Sequence, residues 1–155
     1  MTTQEFEKLE TQIQELRRAG NTSKLADTLR TLGELHRKAG NDQPASRHYL
    51  EAVSIYRDLG EDLKLAHTIR HLGMIHQDSG SLEDAGDCFN EAVAIYNDAG
   101  DSSSVNYANA LRALAVYKDE TGDSSAALLW KEARSIYELN GIAEGVQECD
   151  EKLAA

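Results

Sequence analysis

Two blocks of eight residues return along this chain at nearly fixed intervals. Residues 26–33 (ADTLRTLG) align with 66–73 (AHTIRHLG) and 108–115 (ANALRALA), a step of 40 residues and then of 42. A second block keeps the same rhythm at 49–56 (YLEAVSIY), 89–96 (FNEAVAIY) and 130–137 (WKEARSIY). Periods of this length belong to solenoids and arrays, where one unit cannot bury both its faces and stacking neighbours creates the core.

Both blocks carry the period of a helix. Ile69, Leu72, Gly73 and His76 fall at i, i+3, i+4 and i+7, and Ala85, Phe89, Ala92, Ile95 and Tyr96 form a second stripe. Glycine closes each helix-length segment at positions 20, 40, 60, 80, 100, 122 and 141, where a left-handed C-cap is expected. Asn21, Asp42, Ser81, Asp101 and Asp123 follow as N-cap candidates, and Pro44 sits where a first helical turn tolerates it. The expected helices run over about 3–19, 22–39, 42–59, 62–79, 82–99, 102–121, 124–140 and 142–154. Paired as antiparallel hairpins, they set Gly33, Gly73 and Ala115 against Ala45, Ala85 and Ala126. Tyr49, Phe89 and Trp130 are expected to fill the gap to the next hairpin.

Composition agrees with a helical, packed chain. The apolar share is 41% with a single proline, which excludes the disordered class. A net charge of −11 argues against nucleic acid or an anionic membrane as partner. No apolar run approaches a membrane span, and the start Met1-Thr2-Thr3-Gln4-Glu5 lacks the basic and apolar regions of a signal peptide. A cytoplasmic location is therefore expected. Cys88 and Cys149 match no metal or redox spacing and are expected to stay reduced; the Asn21-Thr22-Ser23 sequon has no meaning without secretion.

The pattern resembles the tetratricopeptide repeat on Ile69, Leu72-Gly73, His76 and Ala85-x-x-x-Phe89, with their equivalents in the other two copies. The 40–42-residue step exceeds the family's usual length of about 34 and is similar to the longer-helix variety of kinesin light chains and bacterial regulatory proteins. The resemblance implies an all-α, right-handed α-α superhelix forming one domain over residues 1–155. Three hairpins (about 22–60, 62–100 and 102–141) are flanked by cap helices at about 3–19 and 142–154. The sequence departs from the family where its Trp is Leu29, Ile69 and Leu111, where its Tyr is His36, His76 and Lys118, and where its closing Pro is missing. Lys118 leaves the third first-helix least regular. His36 and His76 read as packing residues with a hydrogen-bonded ring nitrogen.

No phosphate loop, nucleophile elbow, His-Glu-x-x-His or paired-cysteine site occurs, so no enzyme activity, cofactor or metal is expected. His67 and His71 share a helix side but lack a third ligand.

The resemblance also implies that the concave, ligand-holding surface is lined by first-helix residues facing away from the second helix. At about 100° per residue these are Asp27, Arg30, Glu34, Arg37 and Lys38 in the first copy. They are His67, Arg70, Met74, Gln77 and Asp78 in the second, and Asn109, Arg112, Val116, Asp119 and Glu120 in the third. Arginine holds one place in all three copies, a ladder suited to carboxylates or phosphates because each guanidinium bonds bidentately. The expected partner is thus a protein or peptide with an acidic or C-terminal segment, oriented from the basic first copy toward the acidic third. The other reading pairs each arginine with a neighbouring acid, such as Arg30 with Glu34. The ladder is similar to part of the carboxylate clamp of chaperone-binding repeats, but the groove asparagines are replaced by Glu34, Met74 and Val116. A monomer is expected, with end-to-end association of the two half-repeats as the alternative assembly. A regulatory module binding a short peptide or small anion, and a ligand-free structural repeat, are the alternative functions.

Overall fold

A computed structural model describes residues 3–155; Met1 and Thr2 of the N-terminal reading lie outside them. Among the described residues there are eight α-helices and no strand. They are α1 (Thr3–Ala19), α2 (Thr22–Lys38), α3 (Asp42–Leu59), α4 (Asp62–Asp78), α5 (Leu82–Asp98), α6 (Val105–Glu120), α7 (Ala126–Leu139) and α8 (Ala143–Ala154). The pairs α2/α3, α4/α5 and α6/α7 form hairpins that stack into an all-α superhelix between α1 and α8.

The boundary glycines do what their spacing implies. Gly80 takes φ +82°, open to glycine at little cost, and lets the Ser81 N–H donate to the His76 carbonyl at 2.8 Å. The same bond, from the residue after the glycine back to the carbonyl five residues earlier, closes α1 through α7.

Two helix starts differ from expectation. Asp101 caps nothing directly: its carboxylate accepts from the Ser104 N–H and hydroxyl, and the Ser104 hydroxyl in turn accepts from Tyr107 N–H at 3.0 Å. α6 therefore begins three residues late. Asp123 likewise holds the Ser125 N–H and hydroxyl, delaying α7 to Ala126. Asp42 lies inside α3, after Asn41, and Ser81 makes no side-chain cap bond; Asn21 does, to Lys24 N–H at 3.3 Å.

The core is continuous from hairpin to hairpin. Leu25, Leu29, Leu32, Tyr56 and Ile69 form one buried group, and Tyr96, Tyr107, Leu111, Trp130 and Tyr137 another. The aromatics of the second helices do more than fill the gap between hairpins. Tyr49 and Phe89 press on Gly33 and Gly73 of their own hairpins, while also meeting the His71 and Tyr117 rings of the next. Trp130 donates its indole N–H to Asp119 of its own hairpin at 2.7 Å.

First helices of successive hairpins touch, α2 with α4 and α4 with α6, whereas α1, α3 and α5 are bridged by the tips of long side chains, Arg17 to Glu51 at 2.5 Å and Arg57 to Glu91 at 2.9 Å. Crowding on one side and spreading on the other curves the stack, with the first helices on its inner face.

Candidate functional site

The three ladder arginines stand at the same place on the inner face but in three different states. Arg112 is closed: its Nε and Nη2 donate to the two oxygens of Glu148 on α8 at 2.5 and 2.7 Å. Arg30 lies beside Asp27 and Tyr56, yet makes no ion pair with Glu34; Glu34 instead accepts from Lys38 at 2.9 Å. Arg70 has no carboxylate within ion-pair distance among the described residues. Its Nη2 contacts His71 Nε2 at 3.2 Å and its Nη1 faces the Met74 sulfur at 3.9 Å. Burial presses the Arg70 pKa down from its usual value, and the charges of Arg37 and Arg112 push the same way.

A hydrogen bond repeated along the stack explains why the middle copy differs. The second-helix tyrosine reaches the residue three before each ladder arginine: Tyr56 to Asp27 and Tyr137 to Asn109, both at 2.7 Å. In the middle copy that residue is His67, and the Tyr96 hydroxyl is buried without a partner. A reach-back contact from the next first helix also changes. Lys64 bonds Asp27 at 3.0 Å, and Glu148 bonds Arg112, but among the described residues no acid comes back to Arg70.

The consequence is a cluster of unmatched polar groups. The buried side-chain atoms without a hydrogen-bond partner, among the described residues, are Nε of Arg30, Arg37 and Arg70, Nδ1 of His71, the hydroxyls of Tyr49 and Tyr96, and Nδ1 of His36. All but the last belong together around Arg70 and His71. The His71 ring is 4.7 Å from His67 and 5.9 Å from Tyr49, and it feels the charges of Arg30, Arg37 and Arg70. Groups of this kind are rare in folded proteins because each carries a desolvation cost.

Electrostatics in the cluster follow from burial and cation density. His71 is pushed down to about 2, first by burial and then by Arg70; His67 is pushed to about 4 by burial, Arg70 and Arg30. An arginine can only donate, so its contact makes His71 Nε2 the acceptor and places the ring proton on Nδ1. The Arg70 contact also turns His71 Nε2 away from metal duty, and among the described residues no group of three metal-ligating side chains forms.

The other expected groove residues spread over several tasks. Gln77 donates to Glu120 of the next hairpin, Val116 and Met74 are partly buried against core groups, and Asn109 is engaged by Tyr137. Asp119 faces Trp130 rather than the groove. Arg70, Asn109, Arg112, Tyr137, Glu144 and Glu148 line a cleft of about 320 Å³. A larger cleft of about 460 Å³ lies against α1, lined by Glu7, Glu10, Arg17 and His48, away from the arginine cluster. The sequence reading weighs His71 only as a metal ligand beside His67 and leaves it out of the groove, because its position lies on the buried side of α4. His36 is a packing residue as expected, stacked on His48 and tilted against Phe6, with its Nδ1 buried and unpartnered among the described residues. Lys118 reaches Asp123 and Ser125, and the aromatic role passes to Tyr117, packed on Gly86.

Comparison with known proteins completes the assignment. Tetratricopeptide repeat profiles match residues 25–59 and 64–138, between them most of the chain. The chain is a tetratricopeptide repeat protein. BtubC (BKLC) from P. vanneervenii superposes with a TM-score of 0.72 at 19% identity, over 97% of this chain and 72% of that one. The nearly identical TPR-like repeats of a putative kinesin light chain from Podosopora anserina, and a substituted form of the same repeats, give 0.53 at 14% identity, over 97% and 93%. These likenesses show the fold. No curated protein matches in sequence. Tetratricopeptide repeats mediate protein–protein interaction on a typically non-enzymatic scaffold, and here no helix among the described residues is long and apolar enough to cross a membrane.

Proposed function

We propose that this tetratricopeptide repeat protein holds an acidic segment of a protein partner on its inner face, with Arg70 as anchor and Arg30 and Arg37 beside it. The observation that carries this reading is the Arg70 guanidinium, half-buried, with its Nε unpartnered and no carboxylate at hand. A cation withdrawn from water without a counter-charge is costly, and a bound anion would offset that cost. Met74 and Val116 supply the apolar flank, while Gln77 and Asn109 give neutral polar edges. The charge gradient read from the sequence is weaker than its residues suggest, since Lys38 is spent on Glu34 and Glu120 on Gln77.

The test is a screen of labelled acidic and neutral peptides against wild type and Arg70→Glu at two salt concentrations. Acidic peptides should bind in a salt-sensitive way. Loss of a charge-assisted contact of roughly 1.5–3 kcal/mol should weaken them by about ten- to a hundredfold in the variant. Equal binding of acidic and neutral peptides, or no effect of the substitution, would make the ladder structural.

A further inference from the structure

The Arg70 cluster offers more donors than a carboxylate can use. Arg112 and Glu148 show within this same molecule what one carboxylate needs: a single guanidinium fork, two bonds, and the charge is matched. Around Arg70 there are instead three Nε–H groups, from Arg30, Arg37 and Arg70, with the Nδ1–H of His71 and the hydroxyls of Tyr49 and Tyr96. Arg30 and Arg37 stand seven residues apart on α2, about 10.5 Å of helix rise. The charges of both are felt at Tyr49 and at His71, whose rings stack 5.9 Å apart. Arg70 approaches that pair from α4 through its contact with His71.

The nearby acids do not cancel this charge. Glu34 is matched by Lys38, while Asp27 shares Lys64 with Glu61, so these acids leave one negative charge against three guanidinium groups. A phosphate monoester carries about −1.5 to −2 charge and three strong acceptor oxygens, up to twice the charge of a carboxylate and a tetrahedral rather than planar spread of acceptors. That matches converging donors from two helices better than any single carboxylate does.

We infer that the cluster of Arg30, Arg37, Arg70 and His71 on α2 and α4, backed by the buried Tyr49 of α3 and Tyr96 of α5, takes a phosphoryl group carried on a side chain of the bound protein partner. The inference rests on the acidic-segment reading of the groove and sharpens it: binding would be switched on by phosphorylation of the partner.

The experiment uses the full chain and three pools of labelled degenerate peptides that differ at one fixed central residue: serine, glutamate or phosphoserine. Anisotropy titrations should show the phosphoserine pool binding at least about tenfold more tightly than the glutamate pool. Arg70→Lys keeps the charge and loses the planar fork, so it should erase that ratio while both acidic pools still bind. Arg37→Gln serves as a second variant, with helical content checked by circular dichroism, should Arg70→Lys fold poorly. Equal binding of the phosphoserine and glutamate pools would overturn the phosphoryl inference and leave the acidic groove standing. Failure of all three pools would overturn both. Inorganic phosphate that displaces the phosphoserine pool at the pool's own concentration would overturn the peptide as carrier of the group.

Discussion

His71 is where burial and charge meet most sharply. Its ring is held by the Arg70 contact and by Tyr49, with His67 on the same helix and Arg30 and Arg37 reaching over from α2. The folded pKa, about 2 against an ordinary 6.5, means that the ring stays neutral in the folded chain. As pH falls below about 6.5, the unfolded chain takes up a proton that the folded one refuses. The stability contributed by the neutral ring is therefore complete above that value and is lost on the way down, by roughly 1 kcal/mol per pH unit. His67, at about 4, adds a loss of the same sign, smaller in total because it is less buried. The midpoint of urea unfolding should fall between about pH 7 and pH 5, and His71→Gln should flatten about half of that fall, since His67 also stays largely neutral across this window. Parallel profiles for the two proteins would show that the ring is not the source.

Between helices, Gly73 sets how closely α4 and α5 approach. A methyl group there would meet Phe89 at 2.8 Å and the Cβ of Cys88 at 2.9 Å, and a Cβ cannot move without its helix. Gly73→Ala should destabilise by about 1–3 kcal/mol from overpacking, which outweighs the roughly 1 kcal/mol gained in helix propensity. Thermal unfolding of the variant would check this, and an unchanged or raised Tm would mean that the hairpin opens freely. The third copy already carries alanine at this place, Ala115, so its hairpin must be spaced for it. Helix number and most boundaries were legible because repeated blocks and boundary glycines are local signals. The starts of α6 and α7 were not, because Asp101 and Asp123 fold the chain onto the serines that follow them before any helix begins. The arginine ladder was legible as an alignment, but which rung is free was not. Arg112 is matched by a glutamate 36 residues away, and nothing in its own repeat announces that. One clue did lie in the sequence: His67 replaces the residue that Asp27 and Asn109 offer to the tyrosine, and so leaves Tyr96 unpartnered.

Across the whole molecule, a chain of net charge −11 still sets the buried guanidinium nitrogens of Arg30, Arg37 and Arg70 on one face, and α8 decides where that face ends. α8 covers the third hairpin, with Gly145 against the Tyr137 ring and Cys149 fully buried. It also supplies Glu148, which occupies Arg112 much as an external carboxylate would. If the ladder is a working groove, Glu148 is an internal competitor for its last rung, and Glu148→Gln should lengthen the groove toward the C-terminus. Affinity for long acidic peptides should then rise severalfold, while peptides short enough to reach only Arg30 and Arg70 should be unaffected. The stability loss should stay under about 1 kcal/mol, since the Arg112 and Glu148 side chains are 39% and 31% exposed and solvent screens the pair. A gain shared by short and long peptides would instead be a general effect of removing one negative charge, which added salt would abolish. No gain for either would mean that the groove stops at Arg70 and that the Arg112–Glu148 pair serves only to fasten α8 to the third hairpin.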